Sequence, residues 1–117
     1  MAQILTRQTN TLTAGTDIAT ANIFNAPPGF TPGGTDQVPT LDDEDVLTGE
    51  GTNPTLNFDF VANADTGAVV ITPTLNGIET INVDFLSPDP EILDLQDSTG
   101  LTALNIDGVS STGNSIT

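Results

Sequence analysis

A short pattern occurs three times in the chain: Thr55-Leu56-Asn57-Phe58-Asp59-Phe60, Thr80-Ile81-Asn82-Val83-Asp84-Phe85 and Ala103-Leu104-Asn105-Ile106-Asp107-Gly108. Each copy reads aliphatic, Asn, apolar, Asp. The copies lie 25 (81 − 56) and 23 (104 − 81) residues apart. Recurrence at roughly 20–50 residues marks a stack of similar supersecondary units. Inside each copy apolar and polar residues alternate, which is the period of a strand with one buried face. Leu56, Phe58 and Phe60 therefore share one face, and Asn57 and Asp59 take the other. The second copy behaves alike, as does the third up to Gly108.

Each repeat holds more than one strand. Leu93 follows Ile81 by 12 residues (93 − 81), Ile116 follows Leu104 by 12 (116 − 104), and Ile71 follows Leu56 by 15 (71 − 56), past a turn at Asn63–Gly67. Gly77 and Gly100 each precede the aliphatic by four residues and are followed by Ile78 and Leu101. Two short strands and two turns per repeat are the content of one coil of a parallel β-solenoid, with rungs about 4.8 Å apart. The chain is thus expected to be all-β, a parallel β-solenoid of about three rungs over residues 46–117. Leu56, Phe58, Ile81, Val83, Leu104 and Ile106 would stack inside. An antiparallel β-sandwich with a shared strand pattern is the alternative.

Residues 1–45 lack the repeat and form the second region, expected to dock on the solenoid or extend it. Asn22-Ile23-Phe24-Asn25 reads as a short strand. Pro27-Pro28-Gly29-Phe30-Thr31-Pro32-Gly33-Gly34 reads as a loop, because Pro and Gly at this density exclude a regular element. A short helix has room to start at Thr40, with acids in its first turn and Gly49 as its limit. Pro88 and Pro90 predict a rigid turn.

Charge limits the partners. Sixteen acidic residues stand against one basic residue, Arg7, for a net charge of −15. Such a surface repels nucleic acid and anionic membranes. The longest apolar run, near Ala68–Ile71, is far too short to span a bilayer. With no His, Cys or Lys, triads with histidine, zinc sites and Schiff-base chemistry are removed. The sequence therefore points away from an enzyme.

Two groups of acids are candidate hard-cation ligands. Asp59, Asp84 and Asp107 recur at one place in the repeat. Stacked in register they would lie about 4.8 Å apart, where adjacent like charges repel by on the order of 3 kcal/mol at an effective dielectric near 20. A cation between them, or splaying into water, relieves this. Asp42, Asp43, Glu44 and Asp45 form the second group, in a spacing that is not an EF-hand loop. Oxygen ligands without His or Cys select calcium over zinc or copper. Glu91, Asp94 and Asp97 form a weaker third set. Asn57, Asn82 and Asn105 are expected to form a ladder of amides along the stack.

Several stretches carry a family likeness: Leu12-Thr13-Ala14-Gly15-Thr16-Asp17, Leu47-Thr48-Gly49-Glu50-Gly51-Thr52-Asn53-Pro54, Thr72-Pro73-Thr74-Leu75-Asn76-Gly77-Ile78-Glu79-Thr80-Ile81-Asn82-Val83 and Asp97-Ser98-Thr99-Gly100-Leu101-Thr102-Ala103-Leu104-Asn105-Ile106. The chain resembles secreted bacterial surface proteins with calcium-binding repeats of the RTX type, S-layer proteins among them. The resemblance implies a β-solenoid, calcium binding, secretion and a structural role at the cell surface. It departs from the Gly-Gly-x-Gly-x-Asp nonapeptide, since Glu50 replaces a glycine and Asn53-Pro54 stand where Asp belongs. The family's calcium sites are therefore not carried over. The expected function is a calcium-stabilised structural module that self-associates through solenoid ends, where unpaired strand edges accept further strands. Asn114–Thr117 is still strand-like where the sequence stops in mid-repeat, which predicts either a fragment of a longer chain or an end meant to be continued by another chain. A carbohydrate-binding or adhesive module, with a surface polysaccharide as partner, is the alternative; the lack of Trp and Tyr disfavours it.

Overall fold

A computed structural model describes residues 9–13, 16–30, 37–61, 69–86, 91–109 and 114–117. In chain order the strands are β1 (Thr9–Thr11), β2 (Ile18–Ala21), β3 (Ile23–Ala26), β4 (Gly29–Phe30), β5 (Gln37–Val38), β6 (Val46–Gly49) and β7 (Thr55–Phe60). They continue as β8 (Val69–Ile71), β9 (Thr74–Asn76), β10 (Thr80–Phe85), β11 (Glu91–Leu93), β12 (Ser98–Thr99), β13 (Ala103–Gly108) and β14 (Ser115–Ile116).

The fold is a parallel β-solenoid. The three copies of the repeat become β7, β10 and β13, adjacent and parallel, with Leu56, Ile81 and Leu104 in register. They belong to a front sheet ordered β1-β3-β7-β10-β13. A side sheet runs β12-β9-β6-β2 and a back sheet β14-β11-β8. Each full coil passes from side to front to back. The chain makes three such coils, β6-β7-β8, β9-β10-β11 and β12-β13-β14. These pairings are parallel throughout, which rules out the sandwich.

The stack begins before residue 46. β2 pairs with β6, and β3 pairs with β7, both parallel. Phe24 falls in register with Leu56, and Ala26 with Phe58. An antiparallel pair, β4 with β5, interrupts this first coil. Gly29 and Phe30 are thus in a short strand, not wholly in a loop as their Pro- and Gly-rich surroundings suggested. No helix starts at Thr40: Asp43 and Glu44 form a turn, closed by the Asp45 amide donating to the Asp42 carbonyl (3.2 Å). The turn at 63–67 and the prolines at 88 and 90 lie outside the described residues.

Alternation decides the core. Phe24, Leu47, Leu56, Phe60, Leu75, Ile81, Val83 and Leu93 are fully buried. Phe58 and Phe60 pack with ring centroids 4.9 Å apart, and Phe60 stacks on Phe85 at 5.7 Å. The column Ala26, Phe58, Val83 places a small side chain below the ring and a medium one above it. Leu104 and Ile106, expected inside, are instead 38% and 51% exposed. They sit on β13, the edge of the front sheet, and among the described residues no further coil covers them.

The corner between side and front sheets is built from glycine and from one buried amide. Gly77 and Gly100 have φ of 69° and 84°, a region that L side chains rarely adopt. Each lets the chain turn so that Ile78 is buried and Leu101 partly so. In the coil below, Asn22 is buried and its Nδ2 donates to the carbonyls of Glu50 (2.8 Å) and Thr52 (2.9 Å). Asn22→Ala would leave both carbonyls without this donor. We expect a loss of about 1–3 kcal/mol in chemical denaturation, whereas Asn76→Ala, at an exposed position of β9, should cost under about 0.5 kcal/mol.

Candidate functional site

The acidic run, Asp42 to Asp45, is a turn that carries the chain into β6. Its carboxylates hold backbone. Asp45 is fully buried. Its Oδ1 accepts the amide of Asp17 one coil below (2.7 Å), and its Oδ2 accepts the amide of Asp42 (3.0 Å). Asp43 Oδ1 accepts the amide of Thr72, one coil above (2.7 Å). Asp42 Oδ1 accepts the amide of Glu44 (3.1 Å). The run therefore ties three successive coils together. Glu44 is exposed.

Burial sets the acidity here. It raises the Asp45 carboxyl from 3.8 to about 7, and the neighbouring Asp42 carboxylate adds to the rise; the two amides that Asp45 accepts pull the other way. Burial also lifts Asp42 above the ordinary range, against the hydrogen bonds it shares with Asp45 and Glu44. A turn with three of its four carboxylates committed to amides offers a cation fewer free oxygens than four acids in a row suggest.

The second group lies on the outward face of the front sheet. Asp59 and Asp84 are directly paired. Asp107 does not complete an in-register column: the pairing shifts after Val83, so that Gly108 falls opposite Asp84 and Asp107 is the extra residue. Gly108 has a local reason. A Cβ there would come within 2.5 Å of Asp84 Oδ1, so glycine leaves room for that carboxylate. Asp59 is raised above the ordinary range by burial first, then by the charges of Asp84 and Asp107. The three acids thus share one negative field, with Asp107 set off from strict register by the bulge.

The third set is not brought together as a site. Glu91 is fully buried in β11. Its amide donates to Asn114 Oδ1 (3.1 Å). Asp94 Oδ1 accepts the amide of Gln96 (3.0 Å), and Asp97 is exposed. Among the described residues, no three acids converge closely enough to form a ready-made metal centre.

The amide ladder is present and longer than the three repeats. Asn105 Nδ2 donates to Asn82 Oδ1 (2.8 Å), Asn82 to Asn57 (2.9 Å) and Asn57 to Asn25 (3.0 Å). Every bond runs the same way, from the later coil to the earlier. Asn25 extends the ladder beyond the three repeat copies, although β3 lacks the Asp of the pattern and Asn25 precedes Asn57 by 32 residues. The signal was there in Phe24-Asn25-Ala26, which has the apolar-Asn-apolar core of the later copies.

No family model matches the chain, and neither a curated protein nor a solved structure matches it significantly.

Proposed function

We propose that the chain is a structural module of a secreted surface layer or extracellular filament, self-associating through a solenoid end and stabilised by calcium. One observation carries this reading. The front sheet ends on a six-residue edge strand, β13, whose inward positions Leu104 and Ile106 are exposed together with Val109. An unpaired edge beside uncovered apolar side chains is a template for strand addition. The resemblance to secreted RTX-type surface proteins points the same way. Sedimentation over a range of concentrations tests the self-association: species larger than the monomer should accumulate as concentration rises, and a chain that stays monomeric throughout overturns it.

Calcium enters through the front-face acids. Asp59, Asp84 and Asp107 offer only oxygen donors, and a divalent cation there would relieve the mutual repulsion that adds to the burial-driven rise of Asp59. Water would supply the rest of the six to eight ligands that calcium takes. A cation bound only by the folded chain stabilises it by RT ln(1 + [L]/Kd), about 2.7 kcal/mol at a hundredfold excess over Kd. The test is a titration of melting temperature. Millimolar calcium should raise Tm more than sodium chloride of equal ionic strength, and Asp84→Asn should blunt the response more than Asp97→Asn. Equal effects of the two salts would mean general screening.

A further inference from the structure

We propose that the β13 end of the solenoid docks on the same end of a second copy of this chain, as a closed two-fold pair in which β13 meets its symmetry mate antiparallel. The proposal rests on the self-association reading above and names the partner and the geometry at that end. The two ends of the stack differ. At the β1 end, Asn10 occupies the register position of Phe24, Leu56, Ile81 and Leu104. Thr11 lies outward there, and Leu12 is already buried. At the β13 end, Leu104, Ile106 and Val109 are exposed at 38%, 51% and 63%.

Head-to-tail stacking would set Leu104 against Asn10 and bury an amide on an aliphatic side chain, which costs free energy unless the amide finds a partner. Two β13 ends instead offer apolar side chains to apolar side chains. A surface that matches itself gives an isologous contact, and such a contact closes at two copies.

Alternation limits the register to pairings centred on a residue of β13. Inward residues must meet inward residues, so an antiparallel β13 pair centred on Asn105 places Leu104 opposite Ile106 of the other copy. This centre keeps a five-residue overlap, Ala103 to Asp107, clear of Gly108. Each Asp107 then lies opposite an alanine, Ala103. The two Asp107 residues stand about 14 Å apart along the strands, at four residues of about 3.4 Å, so the front-face acids do not collide. Asn105 sits on the two-fold axis. Its Nδ2 donates to Asn82 in each copy, so the two Oδ1 acceptors face each other across the axis and take a bridging water as their common donor. The same rotation exchanges the side and back sheets. The two-residue edge strands β12 and β14 therefore face each other across the pair.

A chain without cysteine makes the test direct. Residues opposite each other in an antiparallel pair have Cα atoms about 4.5–5.5 Å apart, within disulfide range. Under mild oxidation, Asn105→Cys should yield a covalent dimer and nothing larger. The dimer yield should rise with protein concentration and with salt, which screens two chains of net charge −15. The double variant Thr11→Cys, Asn105→Cys should give the same single dimer. In a separate sedimentation experiment on the uncrosslinked chain, Ile106→Glu should weaken dimerisation at least tenfold. A ladder of covalent multimers from the double variant, with no dimer from Asn105→Cys alone, would overturn the two-fold pair but uphold self-association, now head to tail. Absence of any crosslink, together with a monomer at every concentration for the unmodified chain, would overturn both.

Discussion

Replacing Phe58 with alanine is expected to lower the unfolding free energy by about 3–5 kcal/mol. The ring is 1% exposed and lies between Ala26 and Val83 in the front-sheet column, tilted against Phe60. None of these neighbours can fill the space. Ala26 is too small, and the hydrogen bonds of parallel strands fix the spacing between coils, so the stack cannot collapse onto the void. Ile106→Ala belongs to the same register column but should cost well under about 1.5 kcal/mol in the monomer, because half of that side chain is already in solvent. The contrast is measured by urea denaturation at low protein concentration, where association does not contribute. Equal losses at the two positions would mean that the end coil is covered in solution, or that the interior is looser than the packing of Phe58 implies.

Stability should fall as pH rises from about 4 to about 7, and Asp45 is the main cause. Its carboxyl is raised from 3.8 to about 7 in the folded chain, burial being the largest influence. The folded state therefore holds this proton through a pH range in which the unfolded chain has released it. The sign follows from linkage: the state that binds more protons is favoured at low pH. The contribution is fully present below about 3.8, shrinks through the window and is gone above about 7. Its size is on the order of a few kcal/mol, since one pKa unit corresponds to about 1.4 kcal/mol. Asp42 and Asp59 are shifted upward as well and act in the same direction. Repulsion among sixteen acids adds a slope of the same sign, but salt screens it, while the buried Asp45 is screened much less. Melting curves at high ionic strength between pH 4 and 7 isolate the Asp45 part. Asp45→Asn should flatten that part and lower stability at pH 5, because the amide side chain has one oxygen for the two backbone amides that Asp45 accepts. A slope unchanged by this substitution would place the titrating group elsewhere.

The repeat was legible because strand alternation and parallel stacking are both local rules written in side-chain chemistry. Leu56, Phe58, Ile81 and Val83 had to face inward once the coils stacked, and they do. The asparagines had to meet, because identical residues in register lie within hydrogen-bond reach. Gly77 and Gly100 marked the corner, since few other residues accept that backbone.

What the sequence left open was decided between coils. Ile23-Phe24-Asn25-Ala26 joined the front sheet despite its departures from the pattern, because pairing depends on register and an antiparallel insertion had displaced it in the sequence. Asp45 looked like one acid among four; only its seat beneath β6, with the Asp17 amide one coil away, buried it. Asp107 shared its pattern with Asp59 and Asp84 but slipped out of register where Gly108 made room for the Asp84 carboxylate. Leu104 and Ile106 carry the same inward periodicity as their counterparts. Periodicity sets which way a side chain points, whereas burial requires a neighbour above and below, and at β13 the stack supplies one only on the β10 side.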